Sequence, residues 1–94
     1  MNQTIMNNIT EFATIVDVRT PEEFKTGHIK GAVNIPLDKL QERLDEFRQM
    51  PKPILAYCRS GARSGMAVGI LKQNGIDQAV NGGGLEEAKR KVKG

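Results

Sequence analysis

Pro53-Ile54-Leu55-Ala56-Tyr57-Cys58-Arg59-Ser60-Gly61-Ala62-Arg63-Ser64 is the stretch on which the reading of this chain turns. Pro53–Cys58 is a short, nearly continuous apolar run, the pattern of a strand buried on both faces. Ser64–Asn74 reads as a helix, with Met66, Ala67, Val68, Ile70 and Leu71 giving it a broad apolar surface and Gly75 ending it. Outward from this unit the alternation repeats. Ala13–Val18, Ala32–Pro36 and Gln78–Asn81 are further short runs rich in Val, Ile and Ala. Thr20-Pro21-Glu22-Glu23 is a capping box, with Thr at the N-cap, Pro at the first helical position and Glu three residues after the cap. Leu37, Leu40, Leu44 and Phe47 form one apolar stripe, predicting a single helix of about 12–14 residues stopped by Met50-Pro51. Leu85–Val92 is a last, basic helix. Strands and helices alternating at this spacing predict an α/β domain: a mainly parallel sheet of four to five short strands, with helices on both faces.

The loop between strand and helix carries the chemistry. In α/β sheets ligands gather at the carboxyl ends of strands, and a helix N-terminus there offers unpaired N–H groups and a partial positive charge. Cys58 at the strand end faces those donors. Arg59 and Arg63 add cationic charge, Ser60 and Ser64 add hydroxyls, and Gly61 lets the backbone curl. Such surroundings favour thiolate over thiol and predict a pKa below the ordinary ~8.5. A lone Cys at a strand end is commonly a small buried hydrophobe. Two Arg and two Ser within six residues of it are poor packing choices and good anion-binding ones, so Cys58 is read as a nucleophile, with Arg59, Ser60, Gly61, Ala62, Arg63 and Ser64 as its anion cradle. Four residues separate Cys58 from Arg63, one fewer than in the Cys-x5-Arg loop of phosphatases. A smaller ring suits a sulfur carried on the Cys itself better than a tetrahedral phosphate.

Composition narrows the alternatives. The 94 residues are enough for one domain, taken as 1–94, and too few for two. One Cys excludes an intramolecular disulfide, and one Cys with one His makes a zinc site improbable, so no metal and no cofactor is expected. With no Trp, one Tyr and three Phe, little is available for stacking nucleic-acid bases. The net charge of +3 owes much to Lys89, Arg90, Lys91 and Lys93, read as a solvated helix end favoured by the helix dipole, so no nucleic-acid partner is expected. No run approaches the ~18 apolar residues of a membrane span. Met1–Phe12 holds no basic residue and no apolar core of a signal peptide, which predicts a cytoplasmic protein, or a periplasmic one if the chain is a processed form.

The chain resembles the single-domain rhodaneses, thiosulfate sulfurtransferases of the small phage-shock bacterial type. Three blocks carry the likeness: Asp17-Val18-Arg19 with Pro21-Glu22-Glu23-Phe24; Gly27-His28-Ile29-Lys30-Gly31-Ala32-Val33-Asn34-Ile35-Pro36; and Cys58–Ser64. Asn81-Gly82-Gly83-Gly84-Leu85 adds a fourth. The resemblance implies a rhodanese-like three-layer sandwich and a double displacement through a Cys58 persulfide. The partners would be a small anionic sulfur donor and a thiol or cyanide acceptor, handled by a monomer. Asp17 and Arg19 are then expected to buttress the site from the end of the neighbouring strand, the alternative being that they form only an ion pair. Glu23 reads as the capping-box carboxylate, His28 as a structural hydrogen-bond partner, and Gly82–Gly84 as a means for the chain to approach the Cys loop closely.

Two departures stand out. Many relatives place a Trp near Ala88, which leaves the packing of the last helix open. Only 12 residues precede Ala13, room for an edge strand around Gln3–Met6 but not for the customary opening helix. Two other functions fit the loop: a persulfide carrier docking on a partner enzyme, and a Cys-based phosphatase or arsenate reductase, against which the short loop argues.

Overall fold

The computed structural model describes residues 12–93; the candidate edge strand at Gln3–Met6 lies outside them. Four strands, β1 (Thr14–Asp17), β2 (Val33–Asn34), β3 (Ile54–Cys58) and β4 (Ala79–Gly84), form one sheet in the order β2-β1-β3-β4, with every pairing parallel. The helices are α1 (Pro21–Lys25), α2 (Leu44–Gln49), α3 (Ala62–Gln73) and α4 (Leu85–Lys93). Among the described residues, none of these is long and apolar enough to cross a membrane.

The strand at the centre explains the layering. All five residues of β3 are buried, and its side chains alternate between faces with the period of two that a pleated strand imposes. Ile54, Ala56 and Cys58 join Val16, Val18, Ile35, Leu40, Phe47, Ala67 and Leu71 in the larger core under α2 and α3. Leu55 and Tyr57 point the other way and pack with Ile29 and Ala88 under α4. Sheet and two helical faces make the predicted three layers. Ala88 itself is fully buried and packs in this second core.

The stripe from Leu37 to Phe47 folds differently from the single helix expected of it. Leu37–Lys39 and Gln41–Arg43 are short 3₁₀ turns, and only Leu44–Gln49 is α-helical. The amide of Leu37 is held by the Val18 carbonyl at 3.1 Å, which ties the segment to the end of β1. Arg43, at φ −118° and ψ 23°, then departs from helical geometry just before α2. A three-residue apolar step suits a 3₁₀ turn as well as an α-helix. Leu40 and Phe47 reach full burial without a continuous helix.

The last strand runs further than the expected Gln78–Asn81, through three glycines to Gly84. Its register against β3 is Ala56↔Asn81 and then Cys58↔Gly84, so three residues of β4 oppose two of β3. This bulge needs glycine. Gly83 has φ +86°, and a Cβ on Gly82 would lie 2.6 Å from Leu55 Cδ2. A Cβ on Gly84 would lie 2.5 Å from the Arg59 carbonyl oxygen and 3.6 Å from Ser60 Cα, backbone of the Cys loop. The close approach expected of Gly82–Gly84 is therefore made by Gly84. Gly84→Ala is expected to destabilise the domain by roughly 1–3 kcal/mol and to distort the loop. Gly69→Ala, on an open face of α3 with nothing within 4 Å, should instead raise stability by about 0.5–1 kcal/mol. Thermal melts of the two variants with opposite signs would confirm this; equal small effects would refute it.

Candidate active site

Cys58 ends β3 and is 1% exposed. Gly61, with φ +102° and ψ −12°, turns the chain sharply into α3 and takes the N-cap position, but supplies no capping side chain. The free amides at the helix start are directed at the sulfur instead. The Gly61 N–H donates to Cys58 Sγ at 3.0 Å and the Ser64 N–H at 3.4 Å, and Ser64 Oγ lies 3.5 Å from the same atom. Sulfur thus occupies the place that a Ser or Asp oxygen takes at an ordinary helix N-terminus. Burial works against the thiolate, but the Ser64 hydroxyl and the amides of Ser64, Gly61 and Ser60 outweigh it and bring Cys58 down to about 7. At neutral pH a substantial share of the group is then thiolate.

The loop residues singled out in the sequence do not share one environment. Ser64 is buried, Arg59, Ser60 and Ala62 are exposed, and Gly61 and Arg63 are partly covered. Arg63 is committed. Its Nη1 and Nη2 donate to the two carboxylate oxygens of Glu23 at 2.8 and 3.0 Å, and this hydrogen-bonded pairing holds the Glu23 carboxyl down at about 2. Glu23 also completes the expected capping box, since its Oε1 accepts from the Thr20 amide at 3.0 Å while Thr20 Oγ1 accepts from the Glu23 amide. One carboxylate therefore caps α1 and anchors the start of α3. Arg59, by contrast, has no ion-pair partner among the described residues. It lines a cavity of about 400 Å³ together with Arg19, Glu22, Glu23 and Thr26.

Asp17 and Arg19 lie beneath. The carboxylate of Asp17, fully buried, accepts from the Arg19 amide at 2.9 Å, from its Nε at 3.0 and 3.1 Å and from its Nη2 at 2.6 Å. Arg19 Nη2 also donates to the Gly27 carbonyl, and the guanidinium sits 5.6 Å from the Tyr57 ring centroid. Asp17 pairs with Tyr57 in the sheet register, one residue before Cys58. The ion pair thus supports the strand end rather than touching the sulfur. His28 stacks on Phe24 with ring centroids 3.6 Å apart, and its Nδ1 lies 2.8 Å from the Phe24 carbonyl oxygen, the structural role expected of it.

Two contacts of the candidate site escaped the sequence reading. The Glu23–Arg63 pair joins positions 40 residues apart, and the local pattern already gave Glu23 a complete role. The other is Asn81. Its Oδ1 accepts from Ser64 Oγ at 2.6 Å and from the Gly83 amide at 2.9 Å, while its Nδ2 donates to the Gly61 carbonyl at 3.1 Å. The only sequence signal was its place at the head of the glycine run.

The chain holds a cysteine on helix amides at the carboxyl edge of a parallel sheet, with an Asp–Arg pair at the end of the first strand, and residues 2–91 match the Rhodanese-like domain family, to which the chain belongs. Thiosulfate sulfurtransferase PspE of Escherichia coli is 40% identical over 81 residues, covering 84% of this chain and 78% of that protein. YqhL of Bacillus subtilis is 41% identical over 100 residues, covering 97% of this chain and 79% of its own length. A solved structure described as a rhodanese with anions from E. coli superposes with a TM-score of 0.71 at 36% identity, covering 79% of this chain and 88% of that one. The general chemistry is sulfur transfer.

Proposed function

We propose that the protein is a thiosulfate sulfurtransferase working through a persulfide on Cys58. The observation that carries this is the sulfur at the focus of the Gly61 and Ser64 amides with its pKa brought to about 7. The Cys58 thiolate attacks the outer sulfur of thiosulfate. A Cys58–S bond forms as the sulfur–sulfur bond of thiosulfate breaks, and sulfite leaves with the electron pair. The chain then holds Cys58–S–S⁻, whose terminal charge the loop amides stabilise much as they stabilised the thiolate. Cyanide or a thiolate acceptor attacks the terminal sulfur, takes it, and returns the Cys58 thiolate. With no second Cys in the chain, the acceptor is external.

Arg59, exposed and without an ion-pair partner among the described residues, is the cation that draws the dianionic donor to the loop mouth. Arg63 acts through position: paired with Glu23, it fixes the helix start whose amides face Sγ. Incubation with thiosulfate, followed by intact-mass measurement, should give a +32 Da adduct that maps to the Cys58 peptide and disappears on adding cyanide. An adduct formed only from a desulfurase and never from thiosulfate would replace this reading with that of a persulfide carrier. Turnover of an aryl phosphate without any adduct would replace it with a phosphatase.

A further inference from the structure

The Ser64 hydroxyl has one proton and two acceptors within reach. Asn81 Oδ1 is at 2.6 Å and Cys58 Sγ at 3.5 Å. The shorter contact takes the proton, so in this geometry the hydroxyl presents a lone pair, not a hydrogen, to the sulfur. That suits a thiol, whose S–H can donate to Ser64 Oγ, and it leaves a thiolate short of a donor. Ser64 is fully buried, so no water supplies a third option. Asn81 is itself fixed from two sides, by the Gly83 amide on its oxygen and by the Gly61 carbonyl on its nitrogen, so the oxygen faces Ser64 in one orientation.

We infer that Asn81 is a positioning residue for the nucleophile: it holds the Ser64 hydroxyl as its resting acceptor and yields it to Sγ when the thiolate forms. The inference rests on Cys58 being the nucleophile proposed above. In the loaded state Sγ becomes an uncharged, disulfide-like sulfur with the negative charge on the outer atom, and the hydroxyl returns to Asn81. The donor thus follows the charge on Sγ through the cycle, and Ser64 never faces a buried, unsatisfied proton. Against the cost of burial, the Ser64 hydroxyl is the strongest of the contacts favouring the thiolate, so where its proton points has a direct consequence for Cys58 ionisation.

The charged groups on the elements packed around the loop are Arg59 and Arg63 from the loop and α3, Glu23 from α1, the Asp17–Arg19 pair from the end of β1, and Glu87 from α4, whose carboxylate accepts from the Gly84 amide. None of them bonds to Asn81 or to the Ser64 hydroxyl, so changing position 81 alters the hydroxyl without repairing or breaking an ion pair.

The test is the pH midpoint of Cys58 alkylation by iodoacetamide, followed by intact mass. Asn81 is itself exposed, and Asn81→Leu replaces its acceptor with apolar carbon, so that Sγ is the acceptor left within reach of the buried Ser64 hydroxyl. The substitution should lower the midpoint by about half to one pH unit. Asn81→Asp keeps the proton on position 81 and adds a negative charge, and should raise the midpoint by a similar amount. In a Ser64→Ala background the Asn81→Leu shift should vanish. The Gly61 carbonyl keeps its bond from the Gly65 amide at 2.9 Å in either variant, so the loop retains an anchor, and thermal melts check that the fold is kept. If both variants move the midpoint upward together, Asn81 merely steadies the loop and the inference fails. A midpoint unmoved in both, or a Leu shift that survives in Ser64→Ala, overturns it equally. Alkylation reports the thiolate whether or not sulfur is transferred. Failure of the proposed function would instead show as a missing +32 Da adduct in the unaltered protein.

Discussion

Cys58→Ser is expected to lower thiocyanate formation from thiosulfate and cyanide by at least about a thousandfold, to the level of the uncatalysed reaction. The substitution changes one atom at a site that is 1% exposed, so packing is nearly preserved and the Gly61 and Ser64 amides still have an acceptor. The chemistry is what disappears. A serine hydroxyl ionises far above neutral pH, and an alkoxide would form an oxygen–sulfur bond with no persulfide to hand on. The unaltered protein should show its own signature. With Cys58 at about 7, the rate of loading by thiosulfate should fall close to tenfold per pH unit below about pH 6 and level off above about pH 8. A Ser variant retaining a tenth of the activity would remove Cys58 from the mechanism. A loading rate flat from pH 5 to 9 would show that the thiolate is not what reacts.

The βα unit around that cysteine was legible because its signals are local. An apolar run, a glycine turn and a helical stripe lie in consecutive residues, and each agrees with the fold that the others imply. The capping box at Thr20–Glu23 could be read for the same reason, whereas the support given by Asp17 and Arg19 was implied only by the resemblance to the rhodaneses. What could not be read is long-range. The Glu23–Arg63 pair spans 40 positions, and it changes the meaning of the loop: of the two arginines that looked equivalent, Arg63 is paired in place, and Arg59 meets the solvent with no counter-ion among the described residues. The reach of β4 through three glycines was hidden because glycine normally weakens a strand. Here, pairing with the fully buried β3 and close contact with the loop backbone override that preference. The break in the Leu37–Phe47 segment was hidden because a three-residue apolar step fits two kinds of helix.

The thiolate's environment follows from this division of labour. In the proposed cycle, charge sets the approach of the anion, and that work would fall to Arg59. Ionisation of the sulfur is governed by short-range donors: the backbone amides at the start of α3 and the Ser64 hydroxyl. The amides are fixed by geometry, and that geometry is held by contacts remote from the sulfur, namely Glu23 on Arg63, Gly84 against Arg59 and Ser60, and Asn81 on Gly61.

Asp17→Ala should be the most damaging substitution to the fold itself. Asp17 is fully buried, and Arg19 has a side chain only 7% exposed, so truncating the acid leaves a guanidinium without its counter-ion in a nearly dry place. Removing one partner of such a pair costs about 3–5 kcal/mol, and a domain of this length has only about 5–14 kcal/mol in all. The midpoint of thermal unfolding should drop by more than about 12 °C. The contacts that remain to Arg19, the Gly27 carbonyl and the Tyr57 ring, are too few to offset the loss. Replacing both residues together by Asp17→Leu and Arg19→Met should recover most of the stability, because the cost lies in the orphaned charge rather than in the lost contact. Since neither side chain reaches Sγ, the fraction of Asp17→Ala that stays folded at low temperature should still acquire the +32 Da adduct, within about tenfold of the normal rate. A loss below about 1 kcal/mol would mean that Arg19 finds solvent when its partner is gone. A fully stable variant unable to load sulfur would mean that the pair acts on the chemistry directly, not through the strand end that it supports.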